Sequence, residues 1–380
     1  MKKINILQFI CPVGFYGAER WILALANNLD PERIQCDLVI TSEDQSLNFE
    51  ILNQYPPSIG SPHRIEMSSR FDIHAIKKLC HLIKERNIDI IHTHGYKSDI
   101  FGLIAAKLTG IKCISTPHGF GEKINLKLKA FIKLGCYSFR FFDKIVPLSD
   151  QLFKEVSSMG VLKSKLSYIK NGVDLSEIDA YIISSNNVAV QNKSGTHIGY
   201  VGQMIPRKGI KNLLKIFDGL WQENNNLRLT LLGDGTERKE LETYAQSLAS
   251  HDGIFFLGFR TDRLEIMSTF DLFAMTSSSE GIPRCLMEAM AMQLPIAAYD
   301  IPGIDVLITH DTTGLLAKLG DQDTLSQHWE KLLYNKEYAT VLAKNARAYV
   351  QKEFSAARMA QEYTTLFHSV LGNNSFANPV

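Results

Sequence analysis

The chain has 380 residues, 45% of them hydrophobic and 21% charged, with Lys+Arg 41 against Asp+Glu 40. That length accommodates two domains with full cores, and the near-zero balance excludes a global field that would draw in nucleic acid. The six cysteines, Cys11, Cys36, Cys80, Cys113, Cys136 and Cys285, show no CxxC or other ligand spacing. Most lie in apolar runs, which reads as reduced, buried thiols in a cytoplasmic protein. The charge is divided unevenly: residues 1–172 hold 23 basic and 16 acidic side chains, residues 173–380 hold 18 and 24. The first half is thus suited to face something anionic. No uncharged apolar stretch reaches the roughly 18 residues that a spanning helix needs. The short apolar run at the N-terminus, broken by Asn5 and Gln8, reads as a first strand rather than a signal peptide.

A strand over 4–10 leads through Gly14-Phe15-Tyr16-Gly17-Ala18-Glu19-Arg20 into an apolar helix over 21–29. A glycine-containing turn there lets backbone approach a ligand. It is not the dinucleotide GxGxxG pattern, and the next strand, 36–41, lacks the closing acid of an NAD site. From 72 to 170 helices (72–86, 97–108, 125–142) alternate with strands (88–92, 112–116, 144–148), the rhythm of a doubly wound parallel sheet. Two strand ends carry histidine, His92-Thr93-His94-Gly95 and Thr116-Pro117-His118-Gly119. His92 and His94 share a strand face, but no carboxylate or cysteine joins them and His118 at metal-ligand spacing. Between 123 and 144, Lys123, Lys127, Lys129, Lys133, Arg140 and Lys144 interleave with Phe131, Tyr137, Phe139, Phe141 and Phe142. This segment reads either as a helix lying on an anionic membrane face or as a packed helix with a solvated basic side.

The polar run 176–195 reads as an interdomain connection. A second βα series follows. A strand over 197–201 enters a loop carrying Arg207-Lys208-Gly209, then a helix over 210–221. Adjacent cations in a strand-to-helix loop are placed to hold a diphosphate. Strands over 227–232 and 254–257 meet Gly233-Asp234-Gly235 and Gly258-Phe259-Arg260. A strand over 270–276, a turn of Ser277, Ser278 and Ser279, and a helix from Pro283 to Gln293 put Glu280 in the loop and Glu288 inside the helix. Two acids, a helix N-terminus and loop amides then converge where open α/β sheets bind ligands. Asp321-Gln322-Asp323 precedes a helix and reads as its N-cap rather than a metal motif. A last helix spans 355–371.

Taken in order, these motifs resemble glycosyltransferase family 4. Glu280-Gly281-Ile282-Pro283 followed by Glu288-Ala289-Met290-Ala291 resembles its E-x7-E signature, and 202–209 resembles its Gly-x-x-x-x-x-Lys-Gly segment. The histidine strand ends, Asn171-Gly172 and the Gly17 turn also match, although Tyr16 stands where the family usually has glycine. Arg284 is a second departure, where smaller or amide residues are common, and neither Asp305 nor Val306 clearly matches the family's later acid. The resemblance implies an α/β GT-B fold of two facing Rossmann-like doubly wound domains with an interdomain cleft. The domains would be 1–175, for the acceptor, and 196–354, for the nucleotide sugar, joined by a 176–195 linker, with 355–371 crossing back to the first. It implies a retaining transfer of a sugar from a nucleotide sugar, most often a UDP-sugar, to a glycan or lipid-linked acceptor in surface polysaccharide assembly. Arg207 and Lys208 would hold the diphosphate, and Glu288 the ribose. Glu280 with Gly281, Ile282 and Pro283 would hold the donor sugar, backbone around Phe259 and Arg260 the base, and the Gly17 loop would approach both substrates. His118 would orient a sugar hydroxyl. No cofactor or catalytic metal is implied, and peripheral contact with the inner membrane face would suit the acceptor. A nucleotide-sugar epimerase or hydrolase of the same fold, or a non-catalytic partner subunit, are the rival expectations.

Overall fold

The computed structural model describes residues 3–12, 14–43, 49–69, 72–119, 135–186 and 195–373. The chain forms two compact units. One comprises Met1–Asp174 with Ala356–Val380, the other Leu175–Ser355.

The N-terminal unit is built on β1 (Ile4–Ile10), β2 (Ile34–Ser42), β3 (Pro62–Glu66), β4 (Ile90–His94), β5 (Lys112–Ser115) and β6 (Lys144–Ile145). They form one parallel sheet in the order β3-β2-β1-β4-β5-β6. The central strands are almost continuously apolar because helices cover both faces. On one side Trp21, Ile22 and Leu25 of helix Gly17–Asn28 pack with Met359, Tyr363 and Phe367 of helix Ala356–Val370. On the other, Leu79 and Ile83 of helix His74–Glu85 meet Phe101 and Ala105 of helix Tyr96–Thr109. The terminal helix is tied in at its start. The Ala356 N–H donates to the Val173 carbonyl at 2.8 Å, and Arg358 Nη2 donates to the carbonyls of Lys170 (2.8 Å) and Asn171 (3.2 Å).

The C-terminal unit repeats the plan with β7 (Thr196–Val201), β8 (Leu227–Leu232), β9 (Ile254–Gly258), β10 (Leu272–Met275), β11 (Ile296–Asp300) and β12 (Leu315–Lys318). Its parallel order is β12-β11-β10-β7-β8-β9. Counted within each unit, both sheets run third, second, first, fourth, fifth, sixth strand. The order in which strands are added therefore reverses between β1 and β4 in one sheet and between β7 and β10 in the other. Those are the points at which open α/β sheets leave a crevice at the strands' C-terminal ends.

Several expectations need correction. The first part of the stretch read as a polar connection, 176–186, belongs to helix Leu175–Asn186, and Glu177 and Asp179 in it make ion pairs with Arg263 and Arg347. The first helix begins at Gly17, one turn before Trp21, because the Tyr16 N–H donates to Glu19 Oε2 at 2.9 Å and anchors the start. Pro283 is the extended residue before helix Arg284–Ala291 rather than its first turn. The edge strands β3 and β12 escape the sequence reading, the first because Ile65 is its one large apolar residue beside His63 and Arg64, the second because it spans only four residues. Most of the basic aromatic segment lies outside the described residues; of its end, residues 135–138 are α-helical, as expected, and Phe139–Phe141 continue as a 3-10 turn.

Candidate active site

The C-terminal ends of β7 and β10 carry the loops that hold Arg207, Lys208 and Glu280. The two loops are laced together by backbone. The Ser278 N–H donates to the Arg207 carbonyl at 2.8 Å, and Thr276 Oγ1 donates to the Gly209 carbonyl at 3.0 Å. Gly209 has φ 62°, and a Cβ there would collide with the Thr276 carbonyl oxygen, so only glycine permits this approach. Gly303, at φ 91° in the loop after β11, is equally constrained: a Cβ would run into the Gly281 carbonyl oxygen. Gly281 itself faces open space and has no left-handed φ, so nothing in the fold demands glycine there.

Glu280 is buried, and both its oxygens are engaged. Lys208 Nζ donates to Oε1 at 2.5 Å and Arg207 Nη1 to Oε2 at 3.1 Å; Arg207 also donates to the Ser279 carbonyl at 2.9 Å. The three groups carry one surplus positive charge. It is presented by Arg207, whose side chain is 34% exposed against 8% for Lys208. Burial pushes the neighbouring Cys285 thiol up to about 12, with Lys208 acting against the shift, which removes it as a nucleophile near neutral pH.

Glu288 is also buried, in helix Arg284–Ala291. Arg263 Nη2 donates to its Oε1 at 3.0 Å and Arg263 Nε to its Oε2 at 3.2 Å, while Arg284 Nε donates to Oε1 at 3.1 Å from one turn earlier. Arg263 reaches on to Glu177 at 3.0 Å. Burial works against the Arg263 charge, but the two carboxylates outweigh it and hold its pKa above the usual value. Arg263 drew no notice in the sequence, and only the fold brings it to Glu288. Gly17 opens its helix facing unfilled space. Phe259 and Arg260 follow β9, two strands from β7; Phe259 is exposed and Arg260 is paired with Asp262. Asp321 Oδ1 accepts from the Thr324 N–H at 3.0 Å, capping helix Gln322–Tyr334.

In the N-terminal unit the histidines gather at the ends of β4 and β5. His94 Nδ1 lies 3.1 Å from His118 Nε2, and His94 Nε2 lies 2.6 Å from Gln8 Oε1. His92 Nε2 lies 2.8 Å from Thr116 Oγ1, which in turn lies 2.8 Å from the Tyr363 hydroxyl on the terminal helix. Trp21 packs on all of them, its ring 5.8 Å from His92, 5.2 Å from His94, 5.4 Å from His118 and 5.3 Å from Tyr363. Burial lowers His92 to about 3 and His118 to about 4, and holds His94 well below the usual range. All three are neutral imidazoles at neutral pH. Among the described residues, no group of three or more His, Cys, Asp or Glu stands in position to hold a metal ion.

This pair of clusters on repeated doubly wound sheets has counterparts among known proteins. The model for glycosyl transferases group 1 matches residues 185–349, and that for Glycosyltransferase Family 4 matches residues 15–177. An Escherichia coli UDP-Gal:alpha-D-GlcNAc-diphosphoundecaprenol alpha-1,3-galactosyltransferase is 25% identical over 80% of this chain and 81% of its own. A Campylobacter jejuni N,N'-diacetylbacillosaminyl-diphospho-undecaprenol alpha-1,3-N-acetylgalactosaminyltransferase is 24% identical over 78% and 81%. Among solved structures, Anabaena HepE in complex with UDP-glucose superposes with a TM-score of 0.78 at 19% identity, over 96% of this chain and 100% of that one. The two family matches leave little of the chain uncovered and the fold agrees with them: this chain belongs to glycosyltransferase family 4 and is a glycosyltransferase of the GT-B fold.

Proposed function

We propose that the enzyme transfers a sugar from a UDP-sugar, with retention at the anomeric carbon, to a lipid-linked or glycan acceptor in surface polysaccharide assembly. The observation that carries this reading is the pairing of Arg207 and Lys208 with the buried Glu280 at the β7/β10 switch point. One surplus cation beside a carboxylate suits a donor that is a diphosphate at one end and a polyhydroxylated ring at the other. Arg207 and Lys208 take the diphosphate. Glu280, with the amides of Gly281 and Ile282 and the shape set by Pro283, takes the sugar. Glu288 takes the ribose, giving up hydrogen bonds from Arg284 or Arg263 as it does so, and backbone at Phe259 and Arg260 meets the base. In the N-terminal unit, His118 accepts from a substrate hydroxyl, and the Gly17 turn offers its backbone to a substrate. Two cations at the leaving diphosphate can do what a metal ion does in other transferases, so transfer proceeds without one.

The donor assignment draws support from the relative named for UDP-galactose and from the HepE complexes with UDP and UDP-glucose. The acceptor assignment draws on two relatives whose names place a diphosphoundecaprenol glycan in that role. Contact with an anionic membrane face follows from such an acceptor. Tyr137 and Phe141 stand exposed in the N-terminal unit, with the Arg140 guanidinium 5.0 Å from the Tyr137 ring centre, as an interfacial anchor would. Among the described residues no helix is long and apolar enough to cross a membrane.

The test is a thermal-shift panel of nucleotide sugars, followed by NMR of the product formed on a diphosphoundecaprenol-linked sugar with EDTA present. Stabilisation by a UDP-sugar and a retained linkage are expected. An inverted linkage, or activity restored only by Mn2+, overturns the mechanism. Conversion of the donor to free UDP and an epimerised sugar without acceptor identifies an epimerase instead.

A further inference from the structure

Gln8 is a polar side chain in the middle of an apolar central strand, and it is buried. Its Nε2 donates to Cys36 Sγ at 3.5 Å, which turns Oε1 toward His94 Nε2 at 2.6 Å. That separation is at the short end for N–H···O, and the amide nitrogen is already directed at Cys36. An amide oxygen only accepts, so His94 Nε2 carries the proton. His94 is neutral in its buried position and has one N–H, which leaves Nδ1 bare. Bare Nδ1 accepts, and the group opposite it at 3.1 Å is His118 Nε2, which must then donate. His118, neutral for the same reason, is left with an unprotonated Nδ1. Trp21 packs edge-on or tilted against both rings, at 75° to His118 and 51° to His94, and restricts their rotation.

We propose that Gln8 is a positioning residue: through His94 it fixes His118 as the Nε2–H tautomer, so that Nδ1 is presented as a hydrogen-bond acceptor for a substrate hydroxyl. The proposal rests on the role given to His118 above. It adds a direction, since an imidazole held this way accepts from a hydroxyl and cannot donate to an anionic oxygen from that nitrogen. It also gives a reason for an amide at position 8. An apolar residue would leave the buried His94 Nε2–H without an acceptor, and the polarity of the chain would be free to reverse.

The test is nitrogen-15 NMR of the imidazoles at pH 7, which reads which ring nitrogen is protonated. In the unmodified protein His118 and His94 are both expected to be protonated at Nε2. In Gln8→Met, a population of His118 protonated at Nδ1 should appear, and kcat should fall severalfold with KM for the donor nearly unchanged. A wild-type His118 protonated at Nδ1 overturns the proposal, as does a Gln8→Met enzyme with unaltered tautomer and kcat. The wild-type spectrum decides the polarity even if Gln8→Met fails to fold. His118→Ala separates the two readings: if it retains turnover, the role of His118 fails while the spectrum still decides the relay.

Discussion

Lys208 and Arg207 are sequence neighbours that grip opposite oxygens of Glu280, yet only Lys208 is buried with it, at 2.5 Å, while Arg207 remains a third exposed. The two cations therefore have separable duties. Lys208, besides the diphosphate contact proposed for it, neutralises a buried carboxylate, whereas Arg207 presents the surplus charge at the surface. Lys208→Met should cost about 2–3 kcal/mol of stability, because breaking one side of a buried pair strands the other. Arg207→Met should leave stability within about 1 kcal/mol and weaken UDP binding by roughly tenfold. Urea denaturation and calorimetric titration of both variants check this; equal loss of stability in the two would refute the division.

Glu288 is held by Arg263 and Arg284, so its removal has two consequences. If it binds ribose, Glu288→Ala lowers UDP affinity by one to two decades, roughly the 1.5–3 kcal/mol of a charge-assisted hydrogen bond. The same change leaves two largely buried guanidinium groups short of a partner and lowers the melting temperature. Glu288→Gln, which keeps an acceptor oxygen, should recover part of the stability without the affinity. Undiminished UDP affinity in a folded Glu288→Ala protein would remove Glu288 from the site.

The buried histidines make the N-terminal unit acid-sensitive. His92 has a folded pKa of about 3 against 6.5 for an ordinary histidine, so between those values the unfolded chain takes up a proton that the folded one refuses. Stability is then full above pH 6.5 and falls as pH drops toward 3. His92 alone costs about 2 kcal/mol on going from pH 7 to pH 5. His118 and His94 act in the same direction. Asp99 acts against them: burial raises it to about 7, despite hydrogen bonds from Thr93 and Ser115, and it keeps its proton where the unfolded chain loses one. Three groups outweigh one, so denaturant stability should be lower at pH 5 than at pH 7. Asp99→Asn should steepen the loss, and greater stability at pH 5 would contradict the assignment.

Gly281 and Gly303 are glycines for different reasons. Gly303→Ala must place a Cβ against the Gly281 carbonyl at a left-handed φ, and should unfold the loop or cost about 2 kcal/mol or more. Gly281→Ala meets nothing in the protein and should fold normally; if the donor sugar lies against this loop as proposed, the added methyl should weaken UDP-sugar binding far more than UDP binding. Paired titrations with UDP and a UDP-sugar check this, and identical losses for both ligands would argue against a sugar contact.

Local pattern was enough to find the repeated strand–loop–helix units. The sequence reading of 4–10 and 227–232 coincides with β1 and β8, because a strand covered on both faces must be apolar and ends where the chain turns polar. The same pattern located Arg207, Lys208, Glu280 and Glu288 on their loops and helix. What it could not supply were partners distant in sequence. Gln8 reads only as an interruption in an apolar run until β1 pairs with β4 and sets it beside His94. Arg263 belongs to no motif in the sequence, and only the closing of the second sheet buries it against Glu288. Nor does the composition of 175–186 announce a helix, since its first turn is held by a long-range pair, Glu177 to Arg263. Periodicity records which face of an element is buried, whereas the identity of the group across from a buried polar atom depends on strand order, and strand order exists only in the folded chain.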